Sequence, residues 1–156
     1  MDIRFAQAKD ITGILELLRQ VGQVHHQGRA DIFRSGARKY GVSQILAMLD
    51  SPKTPIFVAV DGEKVIGYGF CQVKHYENDP VMTDRTELYI DDLCVDESCR
   101  GQGVGKAVYN EILRYARMRK CYHVTLNVWV CNADAVKFYE NLGLKPQKIG
   151  METILE

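Results

Sequence analysis

The sequence predicts a single domain of mixed α/β (α+β) class over residues 1–156. The length is that of one ordinary domain with one core. Stretches rich in β-branched and aromatic residues alternate with amphipathic stretches of helical period. A glycine-rich turn also joins one strand directly to one long helix. The predicted order is β α α β β β α β α β, with a further strand possible at the end and no internal repeat.

The amino-terminal third starts with a short strand at residues 2–6. Asp10 and Thr12 can cap the helix that follows. Its apolar face contains Ile11, Ile14, Leu15, Leu18 and Val21. Residues 24–41 are rich in glycine, arginine and histidine with weak periodicity, so we expect a partly helical connection with exposed polar groups. A short helix, SQILAMLD, opens at Ser43.

A β meander is predicted from Pro55 onward. The strands IFVAVD and VIGYGFCQVKHY are joined by DGEK, whose Asp-Gly pair is favoured in hairpins, and TELYIDDLCV forms the third strand. The helix that follows runs from Val104 to about Lys120. The strand HVTLNVWV and the helix NADAVKFYENLG, closed by Gly143, come next. We expect LKPQKIGMETILE to form one or two strands.

The composition excludes several classes of function. Lys plus Arg equals Asp plus Glu, so the net charge is zero and neither nucleic acid nor an anionic membrane is an expected partner. The charged amino terminus is unlike a signal peptide, no stretch is apolar enough to span a membrane, and we expect a cytoplasmic protein. The five cysteines lack CxxC spacing and the four histidines lack metal-ligand spacing, which predicts reduced, mostly buried thiols and no metal.

The loop CRGQGVGK indicates an anion site. A strand end, a glycine turn and a helix start bring free backbone amides and the positive end of a helix dipole together. Arg100 and Lys106 add positive charge. A dinucleotide fingerprint would need glycine at Lys106, and a mononucleotide P-loop would need glycine at Arg100 and a hydroxyl residue at Ala107. Neither nucleotide loop fits.

Two blocks of sequence resemble the GNAT superfamily of N-acetyltransferases. Arg100-x-x-Gly103-x-Gly105, preceded by LCV, is similar to its acetyl-CoA pyrophosphate loop, and the string NADAVKFYENLGL is similar to its second recurring block. The resemblance implies a mostly antiparallel sheet of six or seven strands with about four helices, and splayed strands that hold CoA. It implies acetyl-CoA as cosubstrate, an amine acceptor and a homodimer.

The resemblance also assigns cofactor-binding residues. The loop would hold the pyrophosphate, the end of the third meander strand would pair with pantetheine through its backbone, and an asparagine side chain would lie near the pantetheine arm. These positions are Leu93, Cys94, Val95, Arg100, Gly101, Gln102, Gly103, Val104, Gly105, Lys106 and Asn132. Asn132 is equally suited to cap the helix that follows it, and both roles are compatible.

Catalytic residues are expected among one tyrosine and three acids. Tyr139 also belongs to the cofactor set and can protonate the leaving thiolate, or it can be a core aromatic residue. Asp91 is the first choice as base for the amine, through water, followed by Asp92 and Glu87. The alternative is that these acids form a solvated edge or bind the ammonium without taking its proton. Strand alternation puts Glu87 and Asp91 on one face and Asp92 on the other, unless a bulge intervenes. Asn127 stands where many relatives carry glutamate and cannot act as a base.

The acceptor is expected to be a small cationic amine. YIDDLCV followed by RGQGVG is similar to the polyamine acetyltransferases of the superfamily, and Asp31 adds to the acidic residues. A protein α-amine or a lysine remains an alternative acceptor. A protein that senses acyl-CoA without turnover is a second function class. Cys94 lies on an apolar strand without a histidine partner, which favours direct transfer over a covalent intermediate.

Overall fold

A computed structural model describes all residues, 1–156, and contains five strands and four α-helices. The strands are β1 (Asp2–Phe5), β2 (Ile56–Asp61), β3 (Lys64–Tyr76), β4 (Arg85–Val95) and β5 (His123–Leu126). The helices are α1 (Ile11–Gly28), α2 (Val42–Leu49), α3 (Val104–Met118) and α4 (Ala133–Asn141). None of these helices combines the length and apolar character that crossing a membrane requires.

The five strands form one sheet in the order β1-β2-β3-β4-β5. Neighbouring strands are antiparallel except β4 and β5, which are parallel and joined through α3. Helices α1 and α2 cover one face of the sheet, and α3 covers the other, because alternate strand residues contribute to two separate apolar clusters. This confirms the mixed, mostly antiparallel α/β fold.

Most elements lie where the sequence predicts them, and the apolar row on α3 is fully confirmed. Its four members, Val104, Val108, Ile112 and Ala116, are all buried. Helix α1 is longer than expected, because the helical hydrogen bonds continue through His25 and His26 to Gly28. The irregular connection therefore covers only residues 29–41.

The carboxy-terminal part of the chain differs from the prediction. The strand expected over HVTLNVWV ends at Leu126, and the one or two strands expected in LKPQKIGMETILE are not formed, so the sheet has five strands rather than six or seven. Residues 145–156 make no backbone hydrogen bond within the chain. A strand needs a neighbour that satisfies its backbone groups, and no edge of the sheet supplies one to this segment.

The cysteines are all unpaired. Cys71 and Cys94 are buried, Cys99 and Cys121 are partly buried, and Cys131 is exposed. The expectation of free thiols agrees with this arrangement, although fewer of them are buried than expected.

Candidate functional site

The loop between β4 and α3 has the backbone of an anion-binding turn. Gly101 and Gly103 have φ angles of 77° and 82°, which side chains with a Cβ rarely adopt. Gly103 is the N-cap of α3, and the first main-chain bond of the helix runs from the Ala107 amide to the Gly103 carbonyl. The amides of the first turn therefore have no acceptor within the helix. Arg100 and Lys106 lie exposed beside them.

The third glycine of the loop has a different structural reason. A Cβ on Gly105 would lie 2.9 Å from Cζ of Phe138, so this position lets α3 and α4 approach closely. By contrast, a Cβ on Gly101 or Gly103 would meet open space. Positive φ explains the first two glycines, and helix packing explains Gly105.

Strands β4 and β5 separate beside this loop. Strand β5 pairs with β4 only between Glu87 and Ile90, whereas β4 continues to Val95 in contact with β3 alone. The edge of β4 that faces away from β3 is therefore unpaired over residues 91–95, which include Leu93, Cys94 and Val95. Such an edge accepts an extended, amide-bearing ligand as an additional strand would.

A β-bulge in β4 changes which face the acidic residues share. Phe70 lies opposite Asp92, and the next residue, Cys71, lies opposite Ile90, so Asp91 is the extra residue. Asp91 contacts the loop before α2, and Asp92 contacts Tyr68, which belongs to the cluster under α1 and α2. Both carboxylates therefore lie on one face, and the simple alternation expected from the sequence does not hold here.

The carboxylate of Asp91 is fully engaged by the chain itself. Lys39 donates to its Oδ1 at 2.9 Å and to its carbonyl oxygen at 3.3 Å. The Tyr40 hydroxyl donates a short hydrogen bond to Oδ2. The Tyr40 ring packs on Phe70, with centroids 5.3 Å apart. An ammonium group of this protein thus occupies the position beside Asp91.

Asp92 has a free oxygen and a different electrostatic environment. Its Oδ2 accepts from the Tyr68 hydroxyl at 2.9 Å, while Oδ1 has no hydrogen-bond partner in the protein. Burial raises the pKa of Asp92 above its ordinary value, and the Tyr68 hydrogen bond and the charges of Lys39 and His25 only partly oppose this. A carboxylate with a raised pKa accepts a proton more readily than an ordinary one.

Tyr139, on α4, lies near Asp92 and Cys94. Burial raises the pKa of its phenol, and the charges of Asp92 and Cys94 raise it further. The hydroxyl makes no hydrogen bond to protein atoms and holds its proton across the physiological range. Burial likewise raises the pKa of the Cys94 thiol to about 12, and the thiol is directed at the Leu17 carbonyl, with Sγ 3.6 Å from the oxygen. That thiol is unsuited to nucleophilic attack.

Asn132, Asn127 and Asp31 each make local contacts of their own. The Asn132 side chain accepts from the Ala135 amide at 3.2 Å, so it caps α4 as one of the two expected roles requires. Asn127 donates to the Tyr89 hydroxyl. The carboxylate of Asp31 is held by Arg29 at 2.9 Å.

Glu87 lies near the opposite end of β4 in a network of its own. It accepts hydrogen bonds from Thr125 and Tyr76, and Nε2 of His123 lies 3.8 Å from its Oε1. Burial alone would raise the pKa of Glu87, but the two hydrogen bonds and the neighbouring charges bring it below its ordinary value. A lowered pKa makes Glu87 a weaker base than an ordinary glutamate.

Sequence reasoning missed three residues of the group: Lys39, Tyr40 and Tyr68. The sequence predicts Tyr68 to be an ordinary inward-facing strand residue. Only the pairing of β3 with β4 shows that its hydroxyl reaches Asp92. Lys39 and Tyr40 lie in the irregular connection, which has no periodicity to indicate their orientation. The basic and aromatic character of that segment was the only available signal.

Comparison with known proteins identifies the family and the fold. The family model described as "Acetyltransferase (GNAT) family" matches residues 25–144. A crystal structure of a mutant of the BH1408 protein from Bacillus halodurans superimposes with a TM-score of 0.96 at 34% identity, covering 100% of both chains. An aminoglycoside N-acetyltransferase in complex with CoA has the same fold, with a TM-score of 0.73 at 16% identity over 99% of each chain.

Among curated proteins, an uncharacterised N-acetyltransferase of Methanocaldococcus jannaschii is 31% identical over 93 residues, which are 60% of this chain and 40% of that protein. The chain spans less than half the length of this relative. The mouse thialysine N-epsilon-acetyltransferase is 26% identical over 144 residues, which are 90% of this chain and 82% of that protein. The match to the family model covers the anion loop, the open edge of β4 and Tyr139 together, and the chain belongs to the acetyltransferase (GNAT) family.

Proposed function

We propose that this protein is an N-acetyltransferase that passes an acetyl group directly from acetyl-CoA to a primary amine. One observation carries the proposal. The unpaired edge of β4 leads at its carboxyl end to the anion loop, and it carries Asp92, whose charge helps to raise the pKa of the Tyr139 phenol. An extended thioester with a phosphate-bearing end fits along this strand edge and into the loop.

The residues present fit acetyl-CoA as a substrate. Free amides at the start of α3, two glycines of positive φ, and Arg100 and Lys106 suit a pyrophosphate. The main chain of Leu93–Val95 suits the amides of pantetheine. Acetyl-CoA supplies the activated acetyl group, and the chain supplies orientation and proton transfer.

We assign proton transfer to two side chains, one that protonates the departing thiolate and one that deprotonates the amine. Tyr139 is the acid for the departing thiolate, because its raised pKa keeps it protonated. Asp92 is the base for the amine, directly or through water, because its raised pKa and its free Oδ1 suit proton acceptance. Asp91, the first choice from sequence alone, is better suited to hold the acceptor ammonium once Lys39 has left it. Glu87 ranks third.

A small cationic amine is the proposed acceptor class. Asp91 and Asp92 share one face, and the mouse relative that matches 90% of the chain is named for acetylating the ε-amine of thialysine. Glucosamine 6-phosphate acetyltransferases match a shorter part, such as 63 residues of the Oryza sativa enzyme. Acetylation of a protein α-amine or lysine, and acyl-CoA sensing without turnover, are the alternatives that the assay must separate.

The decisive assay follows thiol release from acetyl-CoA with polyamines, thialysine, aminoglycosides, glucosamine 6-phosphate and peptides as acceptors. We expect the highest kcat/KM with a small polyamine or a thialysine-like amine. Fastest turnover of a peptide would support protein acetylation. If every amine fails while acetyl-CoA still raises the Tm, the sensor alternative replaces the enzyme.

Matched variants then test the roles. Tyr139→Phe should lower kcat by about 10²-fold or more, whereas Tyr122→Phe, at an exposed tyrosine, should leave it unchanged. Asp92→Asn should lower kcat, and Asp91→Asn should chiefly raise KM. The reverse pattern for the two aspartates would return the base to Asp91.

We further propose that the protein acts in the cytoplasm and forms a homodimer. Five unpaired thiols suit a reducing compartment. The exposed apolar side chains near the carboxyl terminus support self-association.

A further inference from the structure

We propose that the acceptor is a linear polyamine with at least three ammonium groups, and that Tyr89 and Glu87 bind the groups that are not acetylated. These two residues and Asp91, here named the β4 strip, lie on one face of the sheet. The inference rests on the proposed function, because it assigns a length and a charge to the amine of that reaction. It does not depend on which aspartate is the base.

The β4 strip continues a sheet face that α1 and α2 cover only in part. On β3 this face is apolar and buried as far as Phe70, and it becomes polar and half-buried at Gln72 and Lys74. The strand register places Tyr89 opposite Gln72. It places Glu87 opposite Lys74, so both side chains of β4 point to this face. Beyond Phe70 the face is therefore accessible to a ligand that enters from the acceptor side.

Glu87 is a charged group without a cation. Burial would raise its pKa, but hydrogen bonds from Thr125 and Tyr76 hold the pKa below its ordinary value, so the carboxylate is ionised at neutral pH. The side chain is only 12% exposed, and no lysine or arginine forms an ion pair with it. Nε2 of His123 lies 3.8 Å from Oε1 and is buried without a hydrogen-bond partner. A buried charge and an unsatisfied nitrogen side by side suit a cationic donor from outside the chain.

The Tyr89 ring already holds an ammonium group. Nζ of Lys74 lies 4.1 Å from the ring centroid, in a cation–π contact. Lys74 has no carboxylate partner, unlike Lys39, whose Nζ lies 2.9 Å from Oδ1 of Asp91. Ammonium groups of the chain thus occupy two positions of the β4 strip, and a ligand can replace them. The third position, Glu87, has no such group.

The spacing of the β4 strip defines the length of the acceptor. Strand residues rise about 3.3 Å each, so Asp91 and Glu87 are about 13 Å apart, with Tyr89 between them. An extended chain gains about 1.2 Å per bond, which gives a triamine such as spermidine a span of about 11 Å between its terminal nitrogens. A diamine such as putrescine spans about 6 Å and can reach Tyr89 but not Glu87. The β4 strip therefore favours the triamine.

The charge of the β4 strip also discriminates against amino acids. In a lysine-like acceptor, the end remote from the reacting amine carries a carboxylate as well as an ammonium group. That carboxylate would lie towards Glu87 and would be repelled by it. We therefore expect spermidine to bind better than thialysine, the amine in the name of the mouse relative.

The test is calorimetry of spermidine, putrescine and thialysine binding to the full chain with CoA present, which requires no turnover. The wild type should bind spermidine about tenfold more tightly than putrescine, the size of one partly buried ionic hydrogen bond. Glu87→Gln should raise the Kd of spermidine by about tenfold and leave that of putrescine nearly unchanged. Glu63→Gln, at an exposed acid in the turn between β2 and β3, changes the net charge equally and should bind as the wild type does.

A matched pair of variants tests the tyrosine. Tyr89→Phe keeps the ring and should bind spermidine as the wild type does. Tyr89→Leu removes the ring and should raise the Kd by about three- to tenfold. Equal losses in the two variants, or none in either, would contradict the cation–π position.

Thiol release with the same amines separates this inference from the proposed reaction. Glu87→Gln should raise KM for spermidine and leave kcat unchanged, whereas a loss of kcat with every amine would make Glu87 a base and overturn the polyamine site. Equal Kd values of spermidine and putrescine in the wild type, or tighter binding of thialysine, also overturn it, even if thiol is released. If no amine releases thiol, acetyl transfer fails. Tight binding of spermidine that depends on Glu87 would still retain the β4 strip as a polyamine site.

Discussion

Replacing Lys39 by methionine should improve the binding of a cationic acceptor. Lys39 places its ammonium 2.9 Å from Oδ1 of Asp91, the carboxylate that we assign to the acceptor ammonium. An acceptor must break this ion pair before it can take the same position. Methionine keeps much of the apolar length of the side chain and removes the competing charge.

The size of the effect follows from the exposure of the pair. The Lys39 side chain is 46% exposed and that of Asp91 11%, so the pair lies at the surface and is partly screened. Pairs of this kind contribute about 0.2–1 kcal/mol. Removing the competitor should therefore lower KM for a polyamine by about 1.4- to 5-fold, with kcat nearly unchanged. The effect should diminish as salt is raised.

The assay is thiol release with a polyamine, measured for the wild type, Lys39→Met and Arg38→Met. Arg38 is a neighbouring exposed cation without an ion pair, so its replacement changes the net charge equally but leaves Asp91 engaged. We expect Arg38→Met to resemble the wild type. In an Asp91→Asn background, Lys39→Met should have no further effect, because the shared partner is gone.

The competition model would be refuted by an unchanged or higher KM in Lys39→Met. Equal effects of Lys39→Met and Arg38→Met would also contradict it, because they would assign the gain to general electrostatics. A loss of kcat in Lys39→Met alone would instead indicate that Lys39 takes part in the reaction.

Three further variants test the scaffold of the site. Gly105→Ala should lower the free energy of unfolding by about 1–3 kcal/mol, because its Cβ would lie 2.9 Å from the Phe138 ring; thermal melts measure this, and a neutral result would contradict the close packing of α3 and α4. Gly103→Val should weaken CoA binding strongly in calorimetry, because its φ of 82° strains valine and its side chain would obstruct the free amides; normal affinity would argue against the loop as the pyrophosphate site. Asp10→Asn should destabilise the fold by about 1–3 kcal/mol at neutral pH, because Arg4 holds the pKa of Asp10 below its ordinary value. This stabilisation is fully present above the pKa of Asp10 in the unfolded chain, ordinarily 3.8, and it is lost as pH falls through the lowered pKa of the folded state. The Tm difference between the wild type and Asp10→Asn should therefore shrink as pH falls below 3.8, and a constant difference would refute the assignment.

The sequence predicted the turn between β4 and α3 well, because that turn depends on the local main chain. Positive φ at Gly101 and Gly103, a helix start at Val104 and a strand end at Val95 are local features with local signatures. Gly105 shows the limit of this reasoning. Its place in the motif is visible in the sequence, but its packing against Phe138 depends on two helices that are distant in sequence.

The acceptor side was less predictable, because it depends on a register shift of one residue. Alternation in YIDD separates Asp91 from Asp92, whereas the bulge opposite Phe70 and Cys71 brings both to one face. A bulge is fixed by how two strands pair over their whole length, and the string YIDD carries no local sign of it. The same bulge lets Tyr68 reach Asp92 while Lys39 reaches Asp91.

The two aspartates therefore acquire different properties from one backbone irregularity. Asp91, turned towards the loop of residues 29–41, meets a lysine and a tyrosine that hold it as an ion-pair partner. Asp92, turned towards Tyr68, meets buried surface that raises its pKa and leaves one oxygen free. One side chain is thereby suited to exchange one ammonium for another, and its neighbour is suited to remove a proton. If the bulge were absent, Asp91 and Asp92 would lie on opposite faces of β4 and only one of them could reach an acceptor amine. The division of labour that we propose for them thus depends on the register between β3 and β4.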